Sequence, residues 1–289
     1  MQVSRYEAPE SLDAAVALLA NDNEARVIAG GTDLLVQMRT GGSAPSAFID
    51  IKRIPEMSRL EINSSGLVIG AAVPAARIYA NDTIRQLWPG LAEATDLIGS
   101  SQIQGRATWS GNLCNASPAA DSVPALIATG AEVIVLGPNG ERRVPVDGFV
   151  TGPGQTVLQP GELVVAFRVP TPAPRSADAY LRLIPRTEMD IAVVGAAVQL
   201  TLDADGSVAS AMVVLGAVAP TQLRVDAAAA ALVGSKLEDA ALSAAASAAS
   251  DAARPIDDKR GTIAYRKKIS GVLTRRAARI AYDRAKERN

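Results

Sequence analysis

The chain has 289 residues, of which 48% are hydrophobic and 20% are charged, and its formal net charge is −1. These values are typical of a soluble globular protein of about two domains, and the near-zero charge argues against nucleic-acid binding. Because the chain has no histidine and a single cysteine, Cys114, it excludes Ser-His-Asp and Cys-His nucleophiles, histidine-bearing zinc centres and cysteine-ligated iron–sulfur clusters. We therefore expect neither a metal site nor a catalytic side chain, and a bound cofactor would carry any chemistry.

The amino-terminal residues are charged and have no apolar core, which predicts that no signal peptide is present. No apolar run approaches the ~20 residues that a membrane-spanning helix needs. We expect a cytoplasmic protein with no membrane span.

The first predicted elements are a helix, a strand and a second, short helix. Ser11 is placed to cap a helix over Leu12–Ala20, residues 26–29 predict a strand, and Leu34–Arg39 predicts a short helix. Between the strand and the short helix, residues 30–33 (Gly-Gly-Thr-Asp) predict a tight loop. Glycines there permit positive φ, and consecutive N–H groups at a helix start favour a bound anion.

This first loop allows two interpretations, a plain turn or an anion cradle. It matches neither GxGxxG nor GxxxxGK[ST], so neither nucleotide-binding pattern is met. Asp33 would repel a phosphate. It therefore either caps the following helix or accepts a hydrogen bond from a ligand hydroxyl.

A second segment of small and polar residues follows two predicted strands (60–74) and a mainly helical stretch (83–99). It covers residues 108–121 (TWSGNLCNASPAAD). Such a backbone lets a ligand approach closely, and two loops of this kind suit an extended ligand with a central pyrophosphate. The alternative is a proline-containing helix start with Asp121 as its cap.

The second half predicts strands first and helices afterwards. A hairpin turns at Pro138 to Gly140, and a proline-rich stretch at residues 171–178 indicates a domain boundary. Beyond it come further strands, then alanine-rich helices, of which one begins with Asp226 as its cap. The last helix, about residues 265–284, carries many basic residues, which either form a solvated face or bind an acidic partner.

Four segments together resemble one family. AGGTDLL (29–35) and TWSGNLCNASPAADSVPAL (108–126) resemble the FAD-binding medium subunit of the xanthine dehydrogenase and carbon monoxide dehydrogenase family of molybdenum hydroxylases. RLIPRTEMDIAVVGAAV (182–198) is similar to the family's entry into its second domain, and YRKKISGVLTRRA (265–277) to its final basic helix. The match follows nearly the whole chain in order.

The resemblance implies an α+β fold in two parts. Residues 1–175 would form a two-lobed FAD-binding domain of the vanillyl-alcohol-oxidase (PCMH) type, with lobes at about 1–55 and 56–175 and FAD between them. Residues 176–289 would form a smaller C-terminal domain of antiparallel sheet and helices.

The resemblance also implies which residues bind FAD. The first loop would wrap the pyrophosphate and ribityl region, the second would do so from the other lobe, Asp121 would contact FAD, and three further residues would lie near the flavin ring or adenine. The full set is Ala29, Gly30, Gly31, Thr32, Asp33, Leu34, Ile98, Thr108, Ser110, Gly111, Asn112, Asp121, Val164 and Arg182. Ser110 stands where the family usually has glycine, and Arg182 where lysine is frequent.

By this resemblance the chain is an FAD-carrying electron-transfer subunit. A large partner subunit would hold the molybdopterin cofactor and a small one two [2Fe–2S] clusters, assembled as a dimer of heterotrimers that passes electrons to an external acceptor. The alternative is a self-contained FAD-dependent oxidoreductase with its own substrate pocket, which the absence of histidine argues against. A scaffold subunit that has lost FAD is a third interpretation, which the retained glycines argue against.

Overall fold

The computed structural model describes residues 5–41 and 44–288. Its strands are β1 (Arg5–Glu7), β2 (Arg26–Ile28), β3 (Ala47–Asp50), β4 (Leu60–Asn63), β5 (Gly66–Gly70), β6 (Glu132–Gly137), β7 (Gly140–Pro145), β8 (Val150–Gly152), β9 (Gln155–Thr156), β10 (Leu163–Val169), β11 (Ser176–Leu183), β12 (Val194–Leu202), β13 (Val208–Gly216) and β14 (Leu223–Arg224). Its α-helices are α1 (Leu12–Ala20), α2 (Leu34–Arg39), α3 (Ala75–Tyr79), α4 (Asp82–Leu87), α5 (Pro89–Asp96), α6 (Ser101–Gln104), α7 (Trp109–Cys114), α8 (Ser122–Ala128), α9 (Asp226–Leu232), α10 (Asp239–Ala252) and α11 (Ile263–Lys286).

The first lobe is built on a parallel three-stranded sheet in the order β1-β3-β2. Its helix α1 has the predicted bounds, and the Ser11 side chain accepts a hydrogen bond from the Ala14 N–H, as a capping serine does. Ile49, in the central strand, is fully buried. Strand β2 ends where the first loop begins, so the sheet places that loop at the carboxyl end of its strands.

The second lobe contains an antiparallel five-stranded sheet in the order β4-β5-β10-β6-β7. The predicted hairpin joins β6 and β7, with Gly137 opposite Gly140. The fully buried rings of Trp109 and Phe167 meet edge to face, with centroids 5.6 Å apart. This contact fixes α7, which begins at Trp109, against the central strand β10.

The C-terminal part is a four-stranded antiparallel sheet, β11 to β14 in order, on which α9 and α11 pack, while α10 packs against these two helices. A Cβ on Gly271 would lie 2.5 Å from the Ala246 carbonyl oxygen, so a glycine is what lets α10 and α11 approach so closely. The prediction that Asp226 caps a helix is wrong. Val225 occupies the N-cap position, and Asp226 is the first helical residue, paired with Arg224 at 2.7 Å.

The predicted α+β class, with a two-lobed FAD-binding part followed by sheet and helices, is confirmed. Each of the three predicted units contains one of the three larger sheets, and a proline-rich connection of residues 170–175 leads from β10 to β11. Across residues 5–41 and 44–288, no helix combines the length and the apolarity that crossing a bilayer requires.

Candidate cofactor-binding site

A cleft of about 710 Å³ lies between the first and second lobes. This volume is within the range of about 300–1,000 Å³ that is typical of small-molecule and cofactor sites. The first loop and α2 form one wall, and the start of α7 forms another. The predicted residues that line the cleft are Ala29, Gly30, Gly31, Thr32, Asp33, Leu34, Ile98, Thr108, Ser110, Gly111, Asn112 and Val164.

The first loop presents consecutive unpaired backbone donors. Gly31 has a φ of +77°, a conformation that favours glycine. Among the described residues, the N–H groups of residues 30–34 donate no hydrogen bond, whereas the next N–H, of Leu35, donates to the Gly31 carbonyl. Consecutive free N–H groups at a helix start form an anion-binding cradle.

Gly30 is required for a different reason. A Cβ at this position would lie 1.9 Å from the carbonyl oxygen of Arg106, in the second lobe. The two lobes therefore touch backbone to backbone at Gly30, and the ligand is not what excludes a side chain there.

The second predicted loop is a helix start. Thr108 caps α7, because its Oγ1 accepts a hydrogen bond from the Gly111 N–H at 3.0 Å. Ser110, which the resemblance places at a position where glycine was expected, is buried and donates from its hydroxyl to the Ala71 carbonyl at 2.6 Å. The extra side chain is accommodated because helical φ suits an L-residue and its hydroxyl is satisfied within the second lobe.

Three amide side chains join the elements around the cleft. Gln37 on α2 donates from Nε2 to Oδ1 of Asn115 at 2.7 Å, which connects the first lobe to the end of α7. The Asn112 Oδ1 accepts from the hydroxyl of Ser122 at 2.6 Å and from its N–H at 3.2 Å. The Asn112 oxygen therefore fixes α8 to α7, and its amide NH₂ is the part left for a ligand.

Asp33 stands at the N-cap position of α2, but its carboxylate makes no capping hydrogen bond. Of the two roles predicted for it, the cap is therefore not seen. Burial raises the pKa of this carboxyl above its ordinary value. A carboxylate acceptor in this place suits a ligand hydroxyl better than a ligand phosphate, because its negative charge repels the phosphate.

Asp121 and Arg182 do not line the cleft. Arg182 donates from one nitrogen, Nη1, to Asp121 Oδ2 and to the Leu97 carbonyl, each at 2.7 Å, and the Tyr180 hydroxyl donates to Asp121 Oδ1 at 3.2 Å. Burial raises the pKa of the Asp121 carboxyl to about 6, and the Arg182 guanidinium opposes that shift. Through Arg182 this network joins β11 to Leu97, the residue before Ile98. Direct contact of Asp121 or Arg182 with a ligand stays a prediction.

Sequence reasoning missed a third wall of the cleft. Gly154 and Gly161 have positive φ angles there, and Arg142 holds Glu162 by two hydrogen bonds of 2.8 and 2.7 Å, which keeps the pKa of that carboxyl below its ordinary value. The residues are Gly154, Thr156, Leu158, Gln159, Pro160, Gly161, Glu162 and Leu163. The glycines and proline were the available signal, but they indicate a turn and not its neighbours.

Cys114 also lines the cleft. In the part of the chain that the structure describes, no three Cys, Asp or Glu side chains are grouped so that they could hold a metal ion.

Residues 2–172 match the model of the FAD binding domain in molybdopterin dehydrogenase, and residues 179–281 match that of the CO dehydrogenase flavoprotein C-terminal domain. The chain is 35% identical over 280 residues to the carbon monoxide dehydrogenase medium chain of Hydrogenophaga pseudoflava, covering 96% of this chain and 97% of that protein. It is 32% identical over 222 residues to the xanthine dehydrogenase FAD-binding subunit of Escherichia coli O157:H7, covering 76% and 75%. A solved structure of carbon monoxide dehydrogenase from Hydrogenophaga pseudoflava superposes with a TM-score of 0.93 at 37% identity, covering 97% of this chain and 98% of that one.

Proposed function

Because this chain belongs to the family of FAD-binding medium subunits of molybdenum hydroxylases, we propose that it binds FAD in the cleft between its first and second lobes. The chain is an oxidoreductase subunit that carries FAD and transfers electrons within a multi-subunit enzyme. One observation supports the placement most strongly: the unpaired N–H groups of the first loop and the start of α7 line the same cleft.

The residues of the cleft fit such a ligand. The N–H groups of residues 30–34 and the small residues at the start of α7 would hold the pyrophosphate, since backbone donors at helix starts bind phosphate oxygens. Asp33 would accept from a ribityl or ribose hydroxyl. Ile98 and Val164 are the apolar lining residues predicted to lie near the flavin ring or adenine.

When bound, FAD supplies electron transfer between a [2Fe–2S] cluster on a partner subunit and a further acceptor. The residues of this chain would bind and orient the cofactor and exclude water from it, and we propose that none of the described residues acts as a base on a substrate. The molybdopterin and both [2Fe–2S] clusters belong to partner subunits, and the single cysteine of this chain agrees with that division.

For the assembly, we propose one large molybdenum-cofactor subunit and one small iron–sulfur subunit per chain, paired as a dimer of heterotrimers in the cytoplasm. An external acceptor would take electrons from FAD. The medium-chain relatives of carbon monoxide dehydrogenase, which match nearly the full length of this chain, support the assignment to a multi-subunit enzyme.

Two measurements test the proposal. The purified full-length chain, titrated with FAD, is expected to bind one FAD per chain and to quench its fluorescence, whereas a chain that binds no FAD would contradict the placement. Expression with its native neighbours is expected to co-purify two partner chains with molybdenum and iron. The self-contained alternative would instead show substrate oxidation by this chain with FAD alone.

A further inference from the structure

We propose that Lys52, which lies outside the cleft, positions the first loop for FAD binding; this inference rests on the proposed function. The Lys52 ammonium group donates a hydrogen bond to the carbonyl oxygen of Ala29 at 2.9 Å. Ala29 is the residue directly before Gly30, and Lys52 follows β3, the strand that pairs with β2. The contact therefore holds the point at which β2 becomes the first loop.

The Lys52 side chain is itself held in place. Its ammonium group pairs with Asp50 Oδ1 at 2.7 Å, and the same oxygen accepts from the Lys52 N–H at 3.0 Å. Asp50 is 6% exposed, and its second carboxylate oxygen accepts from the Tyr6 hydroxyl. A lysine loses much rotamer freedom when it is fixed, and here Asp50 fixes it before any ligand binds.

The first loop is thus fixed at two adjacent residues from opposite sides. Lys52 holds Ala29 from the first lobe, and the Arg106 carbonyl meets Gly30 from the second. After Gly30, the loop N–H groups have no partner among the described residues. Their direction toward a pyrophosphate depends on these two contacts, and small errors in such positioning are costly for binding.

The test uses the full-length chain stripped of FAD and three probes. FAD and ADP carry the pyrophosphate, and riboflavin lacks it. For Lys52→Met we expect the dissociation constants of FAD and ADP to rise about tenfold and that of riboflavin to stay within twofold of the wild-type value. A general loss of structure would weaken all three probes together.

Three further variants complete the design. Lys52→Arg, which keeps a charged donor, is expected to restore FAD binding to within threefold of wild type. Lys236→Met serves as the matched control, because Lys236 is a half-exposed lysine of the C-terminal part, and its FAD affinity should not change. Lys52→Gln keeps a neutral donor beside Asp50 and replaces Lys52→Met if that variant fails to fold.

The outcomes separate the two hypotheses. Two results would overturn the positioning role and leave the proposed function standing. One is that Lys52→Met, or Lys52→Gln in its place, binds FAD with a dissociation constant within twofold of wild type. The other is that the variant binds ADP and riboflavin more weakly by the same factor. A wild-type chain that binds no FAD would overturn the proposed function, and this inference with it.

Discussion

At the scale of single residues, two exposed glycines close together in the chain allow a direct test of the cleft. A Cβ on Gly111 would meet only Thr108 Oγ1, at 3.2 Å, and Gly111 lines the cleft; a Cβ on Gly105 would meet nothing within 4 Å, and Gly105 does not line it. We expect Gly111→Val to weaken FAD binding at least tenfold, because its methyl groups occupy ligand space. Gly105→Val should bind FAD as wild type does. Equal affinities in a fluorescence titration would refute the placement.

Cys114 provides a second test, because it is the single thiol of the chain and lines the cleft. Every maleimide adduct therefore reports on one position. Although the residue is exposed, burial of the thiol raises its pKa to about 12, so labelling of the free chain is already slow. We expect saturating FAD to slow it at least tenfold further by covering the thiol. Chain unfolded in guanidinium should take one label with or without FAD, and identical rates in the folded chain would place FAD elsewhere.

Single residues also show what sequence could and could not predict. Gly30 and Gly31 were identifiable because paired glycines after a strand are a local signal. The reason why position 30 needs a glycine could not be predicted, since the Arg106 carbonyl that it touches is distant in sequence and belongs to the other lobe. Arg182 and Asp121 were predicted as ligand residues, but their pairing with each other depends on where β11 docks. A short sequence pattern carries no information on that docking.

At the scale of elements, the basic residues of α11 do not form a uniform solvated face. Arg266 is buried and donates to the Val193 carbonyl at 2.7 Å. Arg284 bonds to Glu93 and to the Asp178 carbonyl, and Arg288 follows the helix end. Arg284 and Arg288 therefore join the C-terminal part to the second lobe. Arg266 instead holds α11 against the start of β12 within the C-terminal part.

Arg288 and Arg279 allow a test that separates a junction arginine from a solvent-exposed one. Arg288 donates to the carbonyls of Ser176 and Leu87 at 2.8 and 3.0 Å, while Arg279 is half exposed and lies 3.9 Å from an exposed aspartate. We expect Arg288→Ala to lower the free energy of unfolding by about 1–3 kcal/mol, because charge-assisted hydrogen bonds to part-buried carbonyls are lost. Arg279→Ala should change it by less than about 0.5 kcal/mol. Equal losses in urea denaturation would contradict a junction role.

Helix α7 shows why one element was missed. Its residues, WSGNLC, have weak helix propensity, so the sequence favoured a loop. Tertiary contacts outweigh that propensity: the Trp109 Nε1 donates to Thr95 Oγ1 at 2.9 Å and its ring packs on Phe167. Helix α1, which has an ordinary serine cap, was predicted to the residue.

At the scale of the whole molecule, a buried carboxyl at the same junction makes stability depend on pH. Burial raises the pKa of Asp178 from 3.8 to about 6, although its side chain accepts from the Leu91 N–H at 2.9 Å. The folded chain therefore holds this proton more tightly than the unfolded chain does. The contribution of the Asp178 carboxyl to the free energy of unfolding falls as pH rises from about 4 to about 6 and stays low above pH 6.

Asp178→Asn removes this ionisation and keeps an acceptor for the Leu91 N–H. We expect the variant to exceed wild type in free energy of unfolding by about 1–3 kcal/mol at pH 7, with the difference shrinking toward pH 4. Asp82→Asn, at a largely exposed carboxylate, should differ by less than about 0.5 kcal/mol at either pH. A pH-independent difference for Asp178→Asn would contradict the assignment.

The backbone contact at Gly30 has a consequence for how the cofactor is taken up. Where a carbonyl rests against a residue that lacks a side chain, the lobes already stand as near to each other as main-chain atoms allow. Folding alone thus forms the cleft, and the two lobes cannot move closer together at Gly30 when a ligand binds. FAD would enter a cleft that is already formed, so little of its binding energy is spent on rearranging the protein. Its retention then depends on the rate at which it dissociates from the cleft.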